Sequence, residues 1–338
     1  MPRKVKIWFT DWGKVPNART DFFVSVLSKE YEVIIDRTRP DYVFCSCWGQ
    51  ECLNYDCVRI FYTGENLVPD FNLFDYAIGF HYLSLGDRYV RFPYYATSPD
   101  QIRLLVRDKC LPAGRSEEKT RFCNYIYSNT QAVDPIRGHF FEKLSRYKRI
   151  DSPGRHFNNT EAVLSDPYEG DWTSSKLAFQ RTCKFSIAFE NSSVPGYTTE
   201  KLMHAFLANT IPIYWGNPLV GLEFNTRAFI NCHDYDSLEK VIDRVIDIDN
   251  NDCLYMEMLN TLPFVDNRIP FHLEEEYLLA FLRAIMSQPL AAASRRAKYG
   301  RASLYAGEVR KAAEMRTKAS ISARFHRLFQ WAERLRKW

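Results

Sequence analysis

The residues best suited to chemistry gather in one stretch, Lys184 to Gly216, which reads KFSIAFENSSVPGYTTEKLMHAFLANTIPIYWG. Glu190 and Asn191 stand together after an apolar run, and Tyr197, Glu200 and Lys201 follow shortly after. Carboxylates and an amide bind hydroxyls. A lysine at the start of a helix adds a full charge to the free N–H groups and dipole of the helix end, which suits a diphosphate. No G-x-G-x-x-G turn accompanies the set, so a dinucleotide dehydrogenase is disfavoured. The plain structural alternative is a solvated polar loop on a buried unit. Six polar residues converging on one sheet edge favour a ligand site over that alternative.

The elements that position these residues are readable. Phe185 to Phe189 is a buried strand. Pro195 and Gly196 break the chain, and Thr198 or Thr199 caps a helix running to about Ala208. Leu202, Met203, Ala205, Phe206 and Leu207 make that helix apolar nearly all round, so both its sides should be covered. Ile211 to Trp215 is the next strand, expected parallel to the first. Ligands of such units sit outside the carboxyl ends of the strands, where Glu190, Asn191, Glu200 and Lys201 lie.

The same alternation precedes and follows. Lys4 to Phe9, Glu32 to Asp36, Asp41 to Cys45, Val58 to Tyr62, Tyr76 to Phe80 and Tyr89 to Phe92 read as strands, with a helix near 21–29 capped by Thr20. This is an α/β domain around a mostly parallel sheet. Glu65 follows one of those strands after the flexible Gly64, where a carboxylate either faces a cleft or caps a turn. Leu111 to Thr120, rich in Pro, Gly and charge, is the expected linker. Beyond it come a strand at Phe122 to Tyr127, a helix at Asp134 to Arg146, a strand at Phe229 to Asn231, and helices at Leu238 to Ile246 and Glu274 to Met286. Asp247, Ile248 and Asp249 spell a DxD at a helix end, read as a solvated turn and not a metal site.

With 338 residues the chain is long enough for two cores, and 46% hydrophobic with 25% charged is ordinary for a globular protein. The 15% aromatic share serves core packing, stacking on sugars and a base, or both. The net charge of +4 hides an asymmetry: residues 291–338 carry 13 Lys/Arg and 3 Asp/Glu, a net of +10, which leaves −6 on the body and no case for nucleic acid. Nine cysteines, with Cys45, Cys47, Cys52 and Cys57 clustered at no zinc spacing, read as reduced core thiols. Met1 to Phe9 shows no leader, and no stretch has the length of a membrane span. In the tail, Ile321, Phe325, Leu328, Ala332 and Leu335 form a stripe among Arg324, Arg327, Arg334, Arg336 and Lys337. Such a helix suits an anionic membrane surface; docking on the acidic body or a dimer contact are the alternatives.

FENSSVPGYTTEKLMHAFLANTIPIYWG resembles the signature of the α-1,3/4-fucosyltransferases, and FYTGENLVPDFNLFDYAIGF resembles the acceptor-domain motif of that family. The likeness runs from about Arg59 to about Phe264. It implies a GT-B fold, two facing Rossmann-like domains, with the first (1–113) for the acceptor and the second (114–272) for GDP-fucose. A helix at 273–290 is expected to cross back by analogy, and a basic amphipathic tail fills 291–338. It implies transfer of L-fucose with inversion from GDP-β-L-fucose to the 3-OH or 4-OH of N-acetylglucosamine in a galactosyl-N-acetylglucosamine acceptor. Lewis-type surface glycans such as lipopolysaccharide or capsule would be the product. Carried over residue by residue, the likeness makes Glu65 the general base. Arg155, in RIDSPGRHFNN, becomes a phosphate contact, although a loop arginine is by default only solvated. Asn191 and Tyr197 become donor contacts, Lys201 a phosphate partner, and Glu190 and Glu200 stabilisers of the sugar cation or ligands of fucose or ribose hydroxyls. No metal is demanded, since protein cations can neutralise the diphosphate, although Mn or Mg could stimulate. Golgi members carry an anchor and disulfides. Their lack here points to a bacterial cytoplasm, peripheral on the inner face of the inner membrane. The acidic heptad repeats of some bacterial relatives are missing, which leaves oligomeric state open. Two other readings stand beside this one: another GT-B nucleotide-sugar transferase, which need not share Glu65, and a non-catalytic membrane-associated GDP-sugar or glycan-binding protein.

Overall fold

The computed structural model describes residues 2–13, 18–106, 119–161, 163–164 and 172–315. Most of the expected linker and the amphipathic stripe of 321–335 lie outside the described residues, as does the boundary drawn between residues 113 and 114.

The chain begins with β1 (Arg3–Thr10), α1 (Ala18–Ser28), β2 (Tyr31–Ile35), β3 (Tyr42–Cys45), β4 (Val58–Tyr62), β5 (Tyr76–Gly79), β6 (Tyr89–Arg91) and α2 (Pro99–Arg103). Thr20 falls inside α1 and does not cap it, because the helix starts at Ala18. The six strands form one wholly parallel sheet in the order β2-β1-β3-β4-β5-β6. Strands buried on both faces read as near-continuous apolar runs, which is why VRIFY and YVFC were legible as strands.

The second half continues with β7 (Arg121–Asn124), α3 (Ile136–Leu144), β8 (Ile150–Asp151), α4 (Trp172–Arg181), β9 (Cys183–Phe189), α5 (Glu200–Leu207), β10 (Ile211–Trp215), β11 (Ile230–Asn231), α6 (Leu238–Asp249) and α7 (Asp252–Asn260). Its five strands are again all parallel, in the order β11-β10-β9-β7-β8. Two Rossmann-like units are therefore present, the GT-B arrangement. The helix α5 is covered on both sides. One face lies on β9 and β10, and the other meets α2 and the turn Tyr94–Thr97 of the first unit, so a single apolar core runs between the two sheets through Leu202, Met203 and Phe206.

The chain then returns. The helix α8 (Glu275–Met286) packs on α1, where Arg283 Nε donates to both Glu30 oxygens at 2.9 Å and the Met286 carbonyl accepts from Arg3 at 2.6 Å. After α9 (Leu290–Ala293), Arg295 reaches Asp87, Arg296 pairs with the fully buried Asp75, and Tyr305 donates to Asp70 at 2.7 Å. The segment assigned to a basic tail from residue 291 is therefore, as far as residue 315, a strap on the first unit. Asp75 is buried, and the strap supplies it with two backbone N–H donors and the Arg296 cation.

Asp249 corrects another expectation. It is no solvated turn residue: it lies buried at the end of α6, accepts from Lys184 at 2.6 Å and from Tyr147 at 3.0 Å, and pairs with Lys148. Cys45, Cys52, Cys123, Cys183 and Cys232 are buried free thiols, and burial pushes the Cys45 and Cys123 thiols up, away from thiolate chemistry.

Candidate functional site

The carboxyl edge of the second sheet is built around Glu190. Its backbone N–H donates to the Trp215 carbonyl at 2.8 Å, which aligns the ends of β9 and β10. Its side chain folds back over Gly216, where a Cβ would collide with it, and that explains the glycine closing the YWG run. The carboxylate is fully buried. One oxygen accepts from Thr199 N–H at 2.7 Å, and the other from the Thr199 hydroxyl at 2.7 Å and Lys201 Nζ at 3.0 Å. Thr199 holds the N-cap position as its sequence suggests, but its hydroxyl donates to Glu190 instead of accepting from the helix. All of Glu190 is thus engaged inside the protein. It anchors Lys201, and its carboxylate is not available to sugar hydroxyls as the sequence suggested.

Glu200 and Lys201 begin α5 with their side chains partly open, at 20% and 17% exposure. Burial would neutralise Lys201, yet the charges of Glu190 and Glu200 hold its pKa above the usual lysine range. Burial would likewise raise Glu200, but the charges of Lys201 and Lys176 outweigh it and hold the carboxyl well below its usual range. Both groups stay ionised at neutral pH. The ion pair between them spans 3.9 Å, so Glu200 keeps acceptor capacity for a ligand.

Asn191 is fixed by a residue that the sequence did not reveal. Arg137, on the first turn of α3, is buried. It lies over the Tyr127 ring at 4.1 Å and donates to Asn191 Oδ1 at 2.6 Å. With its oxygen occupied, Asn191 keeps its NH2 group as a donor. Only a helical arginine among apolar neighbours marks Arg137 in the sequence, which is the signature of an ordinary surface position. Tyr197 is buried, and its ring packs on Phe80 of the first unit at 4.8 Å. Arg155 lies exposed in the loop after β8, on the same sheet edge. Gly154 lets that loop press against the Tyr127 backbone.

The first sheet supplies the facing wall. Glu65 follows β4, half-buried, with its N–H bound to Thr63 Oγ1 at 3.0 Å. Burial raises the Tyr197 hydroxyl pKa. Asn66 bridges the groove directly, donating to Ser192 Oγ at 2.5 Å. Arg91 of β6 joins the two units again through a pair with Glu223 at 2.5 Å, and Glu223 also meets His272 at 2.8 Å. Gly196, at φ +89, allows the Ser192–Tyr197 loop to approach the Phe80 carbonyl more closely than any side chain would permit. Among the described residues no group of three or more His, Cys, Asp or Glu is placed to hold a metal ion, and no helix is long and apolar enough to cross a membrane.

Comparison with known proteins matches this arrangement. Residues 7–98 fit the model of the alpha-(1,3)-fucosyltransferase FucT N-terminal domain, and residues 116–261 fit that of glycosyltransferase family 10 (fucosyltransferase), C-terminal part. An alpha-(1,3)-fucosyltransferase of Helicobacter pylori is 29% identical over 84% of this chain and 66% of its own length. A human 4-galactosyl-N-acetylglucosaminide 3-alpha-L-fucosyltransferase is 37% identical over 42% of this chain and 37% of its own. The chain thus spans less than two thirds of these relatives. A solved alpha1,3-fucosyltransferase with GDP-fucose superposes with a TM-score of 0.69 at 27% identity, over 85% of this chain and 92% of that one.

Proposed function

The chain belongs to the fucosyltransferase family 10 of glycosyltransferases, and we propose that it moves L-fucose from GDP-β-L-fucose, with inversion, to the 3-OH or 4-OH of N-acetylglucosamine in a galactosyl-N-acetylglucosamine acceptor. The observation that carries the reading is the contact of Asn66 with Ser192, which joins the loop after β4 that holds Glu65 to the loop that leads into Tyr197 and Lys201. An acceptor hydroxyl must lose its proton as it attacks, and Glu65 is the carboxylate on the acceptor side of the groove. The departing GDP gains negative charge, which Lys201, the start of α5 and Arg155 meet. Glu200, ionised and open, accepts from hydroxyls of the donor, and Asn191 donates to it. Glu190 keeps Lys201 in place. A surface glycan is the proposed product, made at the inner face of a bacterial membrane, with residues 316–338 supplying the lipid contact.

The test is direct. Incubation with GDP-fucose and both galactosyl-N-acetylglucosamine disaccharides should yield an α-fucoside whose linkage mass spectrometry and NMR assign. Glu65→Gln should still bind GDP-fucose while transfer falls by about 10²–10⁴-fold. Transfer at the wild-type rate would remove Glu65 from its role, and no binding of GDP-fucose by the wild type would overturn the donor assignment.

A further inference from the structure

Beneath the first turn of α5 lies a lysine that the reaction above does not use. Lys176, on α4, is 4% exposed. Its ammonium lies 3.2 Å from His204 Nδ1 and 4.8 Å above the Trp172 ring. His204 is one turn after Glu200 on α5, so both present the same face of the helix toward α4. His204 Nε2 in turn lies 3.2 Å from Gln101 Oε1 on α2 of the first unit. An ammonium has only donors, so Lys176 donates to Nδ1, and the neutral ring must carry its proton on Nε2 and donate to Gln101. Burial, with the Lys176 charge adding to it, lowers the His204 pKa to about 3, so the ring stays neutral. A directed chain of hydrogen bonds thus runs from α4 through the start of α5 into the acceptor-side unit.

A buried ammonium whose hydrogen-bonding partner is a neutral imidazole is an expensive arrangement for a fold to keep. The charges that face it are Glu200 and Lys201 on α5 and Glu190 at the end of β9. Of these, Glu190 is fully engaged by Thr199 and Lys201, whereas Glu200 has open acceptor capacity. The position has no evident purpose in packing that an apolar side chain would not serve as well.

We infer that Lys176 is a positioning residue for the donor site: its buried ammonium, bonded to His204 one turn after Glu200, fixes the start of α5 with Glu200 ready to accept from donor hydroxyls, and the His204–Gln101 bond ties that helix to the acceptor-side unit. The inference rests on the reading of Glu200 given above. Burial lowers the Lys176 pKa to about 8. Donor use should therefore weaken as pH rises through that value, while Glu200 itself stays ionised throughout.

Steady-state kinetics with GDP-fucose on the full chain tests this. Lys176→Met should raise the donor KM about tenfold or more, the equivalent of one pKa unit of lost interaction, with kcat changed less. It should also lack the alkaline limb in kcat/KM that the wild type shows near pH 8. Lys176→Arg keeps its charge at all these pH values and should restore donor KM and move the limb upward. Adding Lys176→Met to Glu200→Gln should cost little beyond Glu200→Gln alone, as expected of two residues acting as one unit. A Lys176→Met enzyme with wild-type donor KM, or with the alkaline limb intact, would overturn the inference, as would additive losses in the double variant. If Lys176→Met fails to fold, the wild-type limb and Lys176→Arg still decide it. A wild-type protein that does not bind GDP-fucose at all would sink the functional reading first, a separate result.

Discussion

The second unit contains two buried clusters of lysine and carboxylate that look alike on paper and differ in use. At the carboxyl edge of the sheet, Glu190 and Glu200 surround Lys201. At the amino edge, Asp249 gathers Lys148 and Lys184. Both hold their charges against burial. The first leaves Glu200 and Lys201 partly open at a helix start that faces another unit. The second has a fully satisfied carboxylate at a helix end, with both lysines donating to it. The Asp75–Arg296 pair repeats the second pattern at the amino edge of the first sheet. A perturbed charge cluster is therefore a functional signal only where strand ends and a helix start bring unspent capacity to a groove.

The largest expected effect separates the two clusters outright. Lys201→Met should lower kcat/KM by about 10²–10³-fold, the scale of losing one preorganised charge at a leaving group. Asp249→Ala should leave donor KM and kcat per folded molecule unchanged. A large kinetic loss in Asp249→Ala, measured on protein shown to be folded by circular dichroism, would erase the distinction drawn here.

The second effect is on stability and reverses the ranking. Removing the Asp249 carboxylate breaks a buried ion-pair cluster and should cost about 3 kcal/mol, at the lower end for such sites because Lys148 and Lys184 can turn to water. Denaturant melts measure it. Its pH dependence has a definite sign. Burial opposes ionisation of Asp249, but bonds from Lys148 and Lys184 bring its folded pKa below the ordinary 3.8. The stability it supplies is therefore complete above that value and lost as pH falls through the lower folded pKa. Wild type and Asp249→Ala should converge in strong acid. A gap that persists there would show that the contribution is not one of charge.

How much of this was legible beforehand follows the same division. The strands were readable because parallel strands buried on both faces are continuous apolar runs, as in KFSIAF and VRIFY. The site stretch was readable because its polar residues interrupt such runs at one edge. Missed were the two-residue strand β8, too short to carry a period, and α4, whose mixed sequence WTSSKLAFQR conceals that Lys176 and Gln180 are its buried residues. Asp249 was misread because a DxD followed by asparagines looks like a turn. Its burial depends on Lys184 and Lys148, which are distant in sequence and adjacent only in the fold. Arg137 and the Arg91–Glu223–His272 contact were hidden for the same reason. Glu190 was recognised but assigned outward, because nothing in a sequence says which of two neighbouring acids folds back over a glycine.

The smallest effects test whether the pattern extends to the C-terminal strap. Asp75 is fully buried but accepts backbone N–H groups from Arg59, Arg295 and Arg296 at 2.7 to 2.8 Å, so it would not be left bare by loss of the Arg296 side chain. Arg296→Met should accordingly cost about 2 kcal/mol, the scale of a hydrogen bond to a charged group, and leave donor and acceptor KM unchanged. Truncation after Met315 keeps Arg295, Arg296, Tyr305 and Arg310 with their partners on the first unit. It should shift the thermal midpoint by less than about 2 °C, within the scale of a fraction of a kcal/mol. Any release from anionic vesicles in a sedimentation assay would then belong to residues 316–338 alone. A cut placed at Ser294 cannot make that separation, because it removes the Arg295 and Arg296 N–H donors and the Arg296 cation from Asp75 together with the segment proposed to meet lipid. A changed KM in Arg296→Met would mean that the strap acts on the acceptor side of the groove, and the amino-edge clusters could no longer be treated as purely structural.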